Sequence, residues 1–172
     1  RLLLRPFTQA DAPVVQELLQ CREIAAHTRS IEHPYPEGGA EKWISQHEEF
    51  WNEGKASVFA ICEKPNIDVP VGAIGLELNS SDENAELGYW VGQPYWGRGF
   101  CTEAAEVVVR FGFDHFGLHK IHAHHMTRNP ASGRVLKKIG MHLEGQLRGH
   151  IKKWGKFEDV AFYGLLASEA GG

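Results

Sequence analysis

Residues 87–110, LGYWVGQPYWGRGFCTEAAEVVVR, constrain the fold more than any other stretch. They oblige an extended segment to turn and become a helix within a few residues. Leu87, Tyr89 and Val91 alternate with Gly88, Trp90 and Gly92, a two-residue period rich in aromatic and β-branched side chains that suits a strand. Gln93-Pro94 ends it, because proline has no amide to give a sheet ladder. After the turn Trp96-Gly97-Arg98-Gly99-Phe100-Cys101, the residues Ala104, Val107, Val108 and Phe111 recur at helical spacing and predict one apolar helix face.

A glycine loop that opens a helix is suited to hold an anion. The first amides of a helix lack intrahelical partners, and the helix dipole places partial positive charge beside them. Gly97 and Gly99 let the backbone curl closely around a phosphate, and Arg98 adds a full charge. The alternative is a tight strand-to-helix turn that holds nothing. A P-loop requires Lys-Ser/Thr after its last glycine, and this loop continues Phe100-Cys101-Thr102. A dinucleotide fingerprint requires Gly or Ala where Thr102 stands, so Gly97-x-Gly99-x-x-Thr102 nearly fails that motif as well.

The 172 residues suit one domain, 1–172, with a sizeable core. A net charge of −4 gives no general attraction to nucleic acid and mildly favours a cationic partner. Cys21, Cys62 and Cys101 are odd in number and lack Cys-x-x-Cys spacing, which argues against a disulfide framework and for a reducing, cytoplasmic setting. No apolar run is long enough to span a membrane and no signal peptide is evident. The chain starts at Arg1, which reads as a product lacking its first residues.

Leu2-Leu3-Leu4 predicts a short strand, and Thr8-Gln9-Ala10-Asp11 a capping box before a helix carrying Val14, Val15, Leu18 and Leu19. Pro34, Pro36, Gly38 and Gly39 exclude regular structure over residues 31–39. A helix is expected over about 40–53, with Trp43, Ile44, His47 and Trp51 at helical spacing, and strands over 57–63 and 69–78. Further strands are expected at 120–126, 141–151 and 157–166, a short helix at 131–139, and a hairpin turn at 152–156.

Two runs resemble a known family. Ala85-Glu86-Leu87-Gly88-Tyr89-Trp90-Val91, followed by Tyr95-Trp96-Gly97-Arg98-Gly99-Phe100-Cys101-Thr102-Glu103-Ala104, resembles the acetyl-CoA-binding motif of GNAT N-acetyltransferases. Within them it resembles the RimJ/RimL-like branch, which acetylates ribosomal-protein N-termini. The segment Asn129-Pro130-Ala131-Ser132-Gly133-Arg134-Val135-Leu136-Lys137-Lys138-Ile139-Gly140-Met141 is similar to that branch's second block, with Met141 in place of Phe. Leu2-Leu3-Leu4-Arg5-Pro6 and the end around Asp159-Val160 and Tyr163 extend the likeness over the chain. Trp96 and Cys101 occupy the first and last positions of the family's Gln/Arg-x-x-Gly-x-Gly/Ala loop.

The resemblance implies an α/β GNAT fold: a mixed, mostly antiparallel twisted sheet of about seven strands with about four helices. It implies acetyl-CoA as cosubstrate, no metal, and a monomer or homodimer. The acetyl group would pass by direct attack in a ternary complex to a primary amine, a protein N-terminal α-amine or alternatively a small-molecule amine. A non-catalytic CoA-binding or RNA-associated module is the rival from another class. The strands before and after the loop's helix would splay so that pantetheine lies between them as an added strand, held by Tyr89, Trp90, Val91, Trp96, Gly97, Arg98, Gly99, Phe100, Cys101 and Thr102. The amide of Trp90 or Val91 would donate to the oxyanion. Tyr35 and Trp43 would wall the acceptor pocket.

Glu86 is the expected general base, with a water chain or a solvated strand carboxylate as alternatives; the position at which RimL-type enzymes carry a Glu holds Ile151. Ser132 would protonate the departing thiolate and Asn129 would bond pantetheine, or both would cap their helix. His122 and His124 share one strand face but lack a third ligand at metal spacing, and so read as ordinary strand histidines. Cys101, at a helix start, is expected to have a lowered pKa. Arg148, His150, Lys152, Lys153 and Lys156 around Trp154 read as a solvated hairpin, with RNA or a CoA phosphate as alternatives.

Overall fold

The computed structural model describes residues 1–171. Seven strands form one sheet: β1 (Leu2–Arg5), β2 (Ala56–Glu63), β3 (Asn66–Asn79), β4 (Asn84–Val91), β5 (Lys120–Met126), β6 (His142–Lys153) and β7 (Lys156–Leu166), in the order β1-β2-β3-β4-β5-β7-β6. Every neighbouring pair is antiparallel except β4 with β5. That parallel step requires a crossover, which α5 (Phe100–Phe116) supplies. The expected mixed, mostly antiparallel sheet is present.

Both faces are covered. Ile61, Ile74, Leu76, Leu87 and Ile121 pack against α5 and against Leu136 of α6 (Pro130–Lys138). On the opposite face Ala60, Cys62 and Ala73 meet α1 (Ala12–Leu18), α2 (Arg22–His27) and α3 (Gly39–Ser45). α4 (His47–Asn52) completes the set.

Among the described residues six α-helices stand where about four were expected. α2 was not foreseen, and the single helix over 40–53 divides at Gln46, whose amide bonds the Trp43 carbonyl three residues back and tightens the turn. The α5 stripe is also displaced. Ala104, Ala105, Val108, Val109 and Gly112 are buried, whereas Val107 is 56% exposed. α5 ends on Gly117 in the left-handed region, whose amide bonds the Phe113 carbonyl.

The junction of β1 and α1 is pinned by charge. Asp11, almost fully buried, accepts from both terminal nitrogens of Arg5 at 2.8 Å and from the Thr8 amide at 2.8 Å. This carboxylate is the reverse half of the expected capping box.

Candidate active site

β4 and β5 pair only from Asn84↔Lys120 to Glu86↔His122. Beyond that point β4 follows β3 as far as Gly72↔Val91, while β5 follows β7 as far as Met126↔Val160, so the sheet splits in a V. The Gly92 amide turns inward to Val71 O. By the alternation of an antiparallel ladder, the Trp90 amide also points to β3 and the Val91 amide points into the V. The Val91 carbonyl is taken by Trp96 Nε1 at 2.7 Å, which folds the loop back against the strand end.

The loop then rises into α5. Gln93–Tyr95 form one 3₁₀ turn, and Gly97 and Gly99 adopt φ of +74° and +80°. Gly99 is the N-cap, no side chain caps the helix, and the first intrahelical bond runs from the Glu103 amide to Gly99 O. The amides of Phe100, Cys101 and Thr102 are therefore left at the positive end of a 17-residue helix. The Arg98 guanidinium lies 4.6 Å from the Phe100 ring centre and pairs with Glu63. Cys101 turns toward the core, and burial pushes its thiol up to about 12, opposite to the lowered value expected of a helix start. It leaves the loop's glycine geometry intact.

Across the V, α6 begins at Pro130 with Asn129 as N-cap residue, but neither Asn129 nor Ser132 makes a side-chain cap. The capping alternative is thus set aside. Ser132 Oγ lies 2.8 Å from the Tyr89 hydroxyl, a bond that ties α6 to β4. Burial raises the Tyr89 pKa and keeps the phenol protonated. Either hydroxyl can donate in this bond.

The opposite face of β4 carries Glu86 and Trp90. Nδ1 of His124 lies 2.8 Å from Glu86 Oε1, a close electrostatic contact without the angle of a well-formed hydrogen bond. His124 holds the Glu86 carboxyl below its ordinary pKa against the opposing effect of burial, and His122 and Arg29 act in the same direction. Burial lowers the His122 pKa. Among the described residues no three His, Cys, Asp or Glu side chains are grouped as a metal site. Ile151 is 4% exposed beside Met126 and Val160, so the alternative base position is apolar core.

Trp90 leads to the expected acceptor wall. Its ring lies 6.5 Å from Trp43, which packs on Phe7 and His47. Tyr35 and Trp43, with Ser30, Glu32, Lys42 and Gln46, line a cavity of about 210 Å³. Thus the structure gathers Tyr89, Ser132, Val91 and the glycine loop around the V, and sets Glu86, Trp90, Trp43 and Tyr35 on the other face.

The hairpin between β6 and β7 corrects the solvated reading. Lys153 is buried and donates to Ile31 O at 2.8 Å, the Arg22 guanidinium lies over Trp154 at 4.7 Å, and His33 meets the same ring. Arg128 also bonds Ala26 O. The hairpin tip is a clamp on the segment that leads to Tyr35. Lys152 and Lys156 remain exposed. Neither this clamp nor the approach of His124 to Glu86 was found from sequence. The clue to the clamp is Trp154, a large ring placed in a charged turn.

A split sheet with a glycine-loop helix at its fork is the frame of an acyltransferase. The chain matches the acetyltransferase (GNAT) domain over residues 1–142 and belongs to that N-acetyltransferase family. It is 29% identical to the uncharacterized N-acetyltransferase p20 of Bacillus licheniformis over 100% of this chain and 96% of that protein. It is 26% identical to the [ribosomal protein uS5]-alanine N-acetyltransferase of Escherichia coli (strain K12), over 82% of this chain and 73% of that protein. The fold is shared with spermidine N-acetyltransferase from Vibrio cholerae, solved in complex with CoA and spermine: TM-score 0.85, 22% identity, 99% of this chain and 98% of that one. Among the described residues no helix is long and apolar enough to cross a membrane.

Proposed function

We propose that this acetyltransferase moves acetyl from acetyl-CoA to a protein N-terminal α-amine by direct attack in a ternary complex. The observation that carries the reading is the V between β4 and β5, with the Val91 amide facing into it and the uncapped start of α5 at its mouth. Pantetheine completes the sheet as the missing strand, and the pyrophosphate lies on the loop from Gly97 to Thr102, with Arg98 exchanging Glu63 for phosphate. Trp96 and Phe100 shape the loop, and Asn129 bonds a pantetheine amide. The Val91 amide donates to the oxyanion. Ser132, held by Tyr89, gives a proton to the departing sulfur. The acceptor ammonium loses its proton on the Glu86 face.

Tyr35, Trp43 and Glu32 wall a small cavity that also carries Lys42. One carboxylate with one opposing cation suits a single ammonium on an extended peptide better than a polycation. The test is thiol release from acetyl-CoA across N-terminal peptides, polyamines and small aryl or alkyl amines, with the melting shift on acetyl-CoA measured in parallel. Stabilisation with turnover on peptides is the expected result. Turnover confined to polyamines or small amines would replace the acceptor class, and stabilisation with no turnover on any acceptor would favour a CoA-binding module.

The clamp gives a separable prediction. Lys153→Met removes a charged donor from the Ile31 carbonyl, a bond of about 1.5 kcal/mol or more. KM for the acceptor is expected to rise roughly 10-fold, with KM for acetyl-CoA unchanged, because 1.4 kcal/mol is a factor of ten. Equal changes in both constants would mean that the hairpin supports the whole fold rather than the acceptor wall.

A further inference from the structure

The carboxylate on the acceptor face is ill suited to act alone. His124 holds Glu86 ionised below the ordinary carboxylate range, and a carboxylate of that kind is a weak acceptor for an ammonium proton. The geometry beside it suggests a division of labour. Glu86↔His122 is the last β4–β5 pair, so His124 is the next residue on that face of β5, at the point where the two strands part. Its Nδ1 faces Glu86 Oε1 at 2.8 Å. One side of its ring is stacked on Phe162 of β7 at 5.3 Å, and His150 of β6 meets the same phenyl edge-on. Nδ1 of His124 is buried and has no hydrogen-bond partner of good geometry, so the Glu86 carboxylate acts on it through charge.

We propose that His124 Nε2 is the proton acceptor of the acetyl transfer and that Glu86 is its positioning residue. The proposal rests on the acetyl-transfer reading above. A carboxylate this close to Nδ1 favours, by its charge, the tautomer protonated there, which leaves the lone pair on Nε2. Arg29 from the acceptor loop and His122 on β5 act on Glu86, and Lys120 on β5 with its partner Glu144 on β6 act in turn on His122.

The proton balance is simple. Nε2 takes one proton from the acceptor ammonium, and the imidazolium so formed faces the Glu86 carboxylate. The freed amine lone pair forms the C–N bond at the thioester carbonyl. On collapse the C–S bond breaks, and the second nitrogen proton passes to the thiolate by way of Ser132. His124 returns its proton to solvent.

The test compares His124→Gln, His124→Ala and Glu86→Gln with the wild type, reading kcat against pH on one responsive acceptor and the melting shift with acetyl-CoA. His124→Gln is expected to lose roughly 100-fold in kcat at neutral pH, in the usual range for general base catalysis, with the acetyl-CoA shift retained. The acidic limb of the wild-type profile should disappear in it. Added imidazole should restore part of the His124→Ala rate, which a purely structural role would not allow. Glu86→Gln should keep the limb at a reduced kcat, as expected of a positioning residue. Wild-type turnover in His124→Gln overturns the proposal. So does a limb lost in Glu86→Gln and kept in His124→Gln, which would make Glu86 the base. A wild-type protein that releases no thiol with any amine defeats the acetyl-transfer reading itself, and this inference with it.

Discussion

Replacing Gly99 with Val is expected to weaken acetyl-CoA binding about 100-fold, equivalent to about 2.7 kcal/mol. Gly99 sits at φ +80°, in the left-handed region, as the residue that starts α5. A β-branched residue there is strained by a kcal/mol or more, and the loop relieves it by rotating away. Rotation would turn the amides of Phe100 to Thr102 away from the phosphate that they are proposed to hold. The added Cβ meets little in the protein, its nearest neighbour being Arg1 at 3.5 Å, so the fold itself tolerates the change. Titration calorimetry on the variant, beside its unliganded melting curve, separates the two effects. Wild-type affinity in a well-folded Gly99→Val protein would show that the loop amides do not hold the cofactor.

Asp11→Ala is expected to cost about 3 kcal/mol of stability, the scale for breaking a buried pair by removing one partner. Such a loss lowers Tm by roughly 6–12 °C in a chain of this size. The Asp11 carboxyl is 2% exposed, and its removal strands the Arg5 guanidinium and the Thr8 amide. Burial alone would raise the Asp11 pKa, but the Arg5 and Thr8 bonds outweigh it and leave the pKa below its usual value. A carboxyl depressed in the folded state contributes its stability above the unfolded pKa, near 4, and loses it as pH falls through the lower folded value. Asp11→Asn should therefore show a smaller fall in Tm between pH 6 and pH 3 than the wild type. Equal acid slopes in the two proteins would assign the acid sensitivity to other carboxylates.

The order of strands and helices was largely legible because its punctuation is chemical. Gly97, Gly99 and Gly117 mark positive φ, and Pro94 marks the end of β4. The α5 stripe was displaced because residues 104–109 offer apolar side chains nearly all round, and period alone does not choose between Val107 and Val109. Cys101 was misjudged for a related reason: position at a helix start suggests a low pKa, but the direction of the side chain into the core decides it. Alternation along β5 placed His122 and His124 on one face. The approach of His124 to Glu86 needed the parallel register of β4 with β5, which no local pattern encodes. Lys153 read as solvated because its neighbours are basic, while its partner carbonyl lies 122 residues away.

The split between β4 and β5 also bears on how the domain holds together. Within the sheet, only three residue pairs join a four-stranded leaf to a three-stranded leaf among the described residues. A ligand lying in that gap would act as mortar as well as reactant. At a thousand times its dissociation constant it would add about 4 kcal/mol to the folded state. Amide hydrogen exchange along residues 87–91 and 123–126 should then slow when the gap is filled and quicken once product leaves. Each turnover would briefly loosen the seam, so the protein's sturdiness in a cell would follow the supply of its cosubstrate.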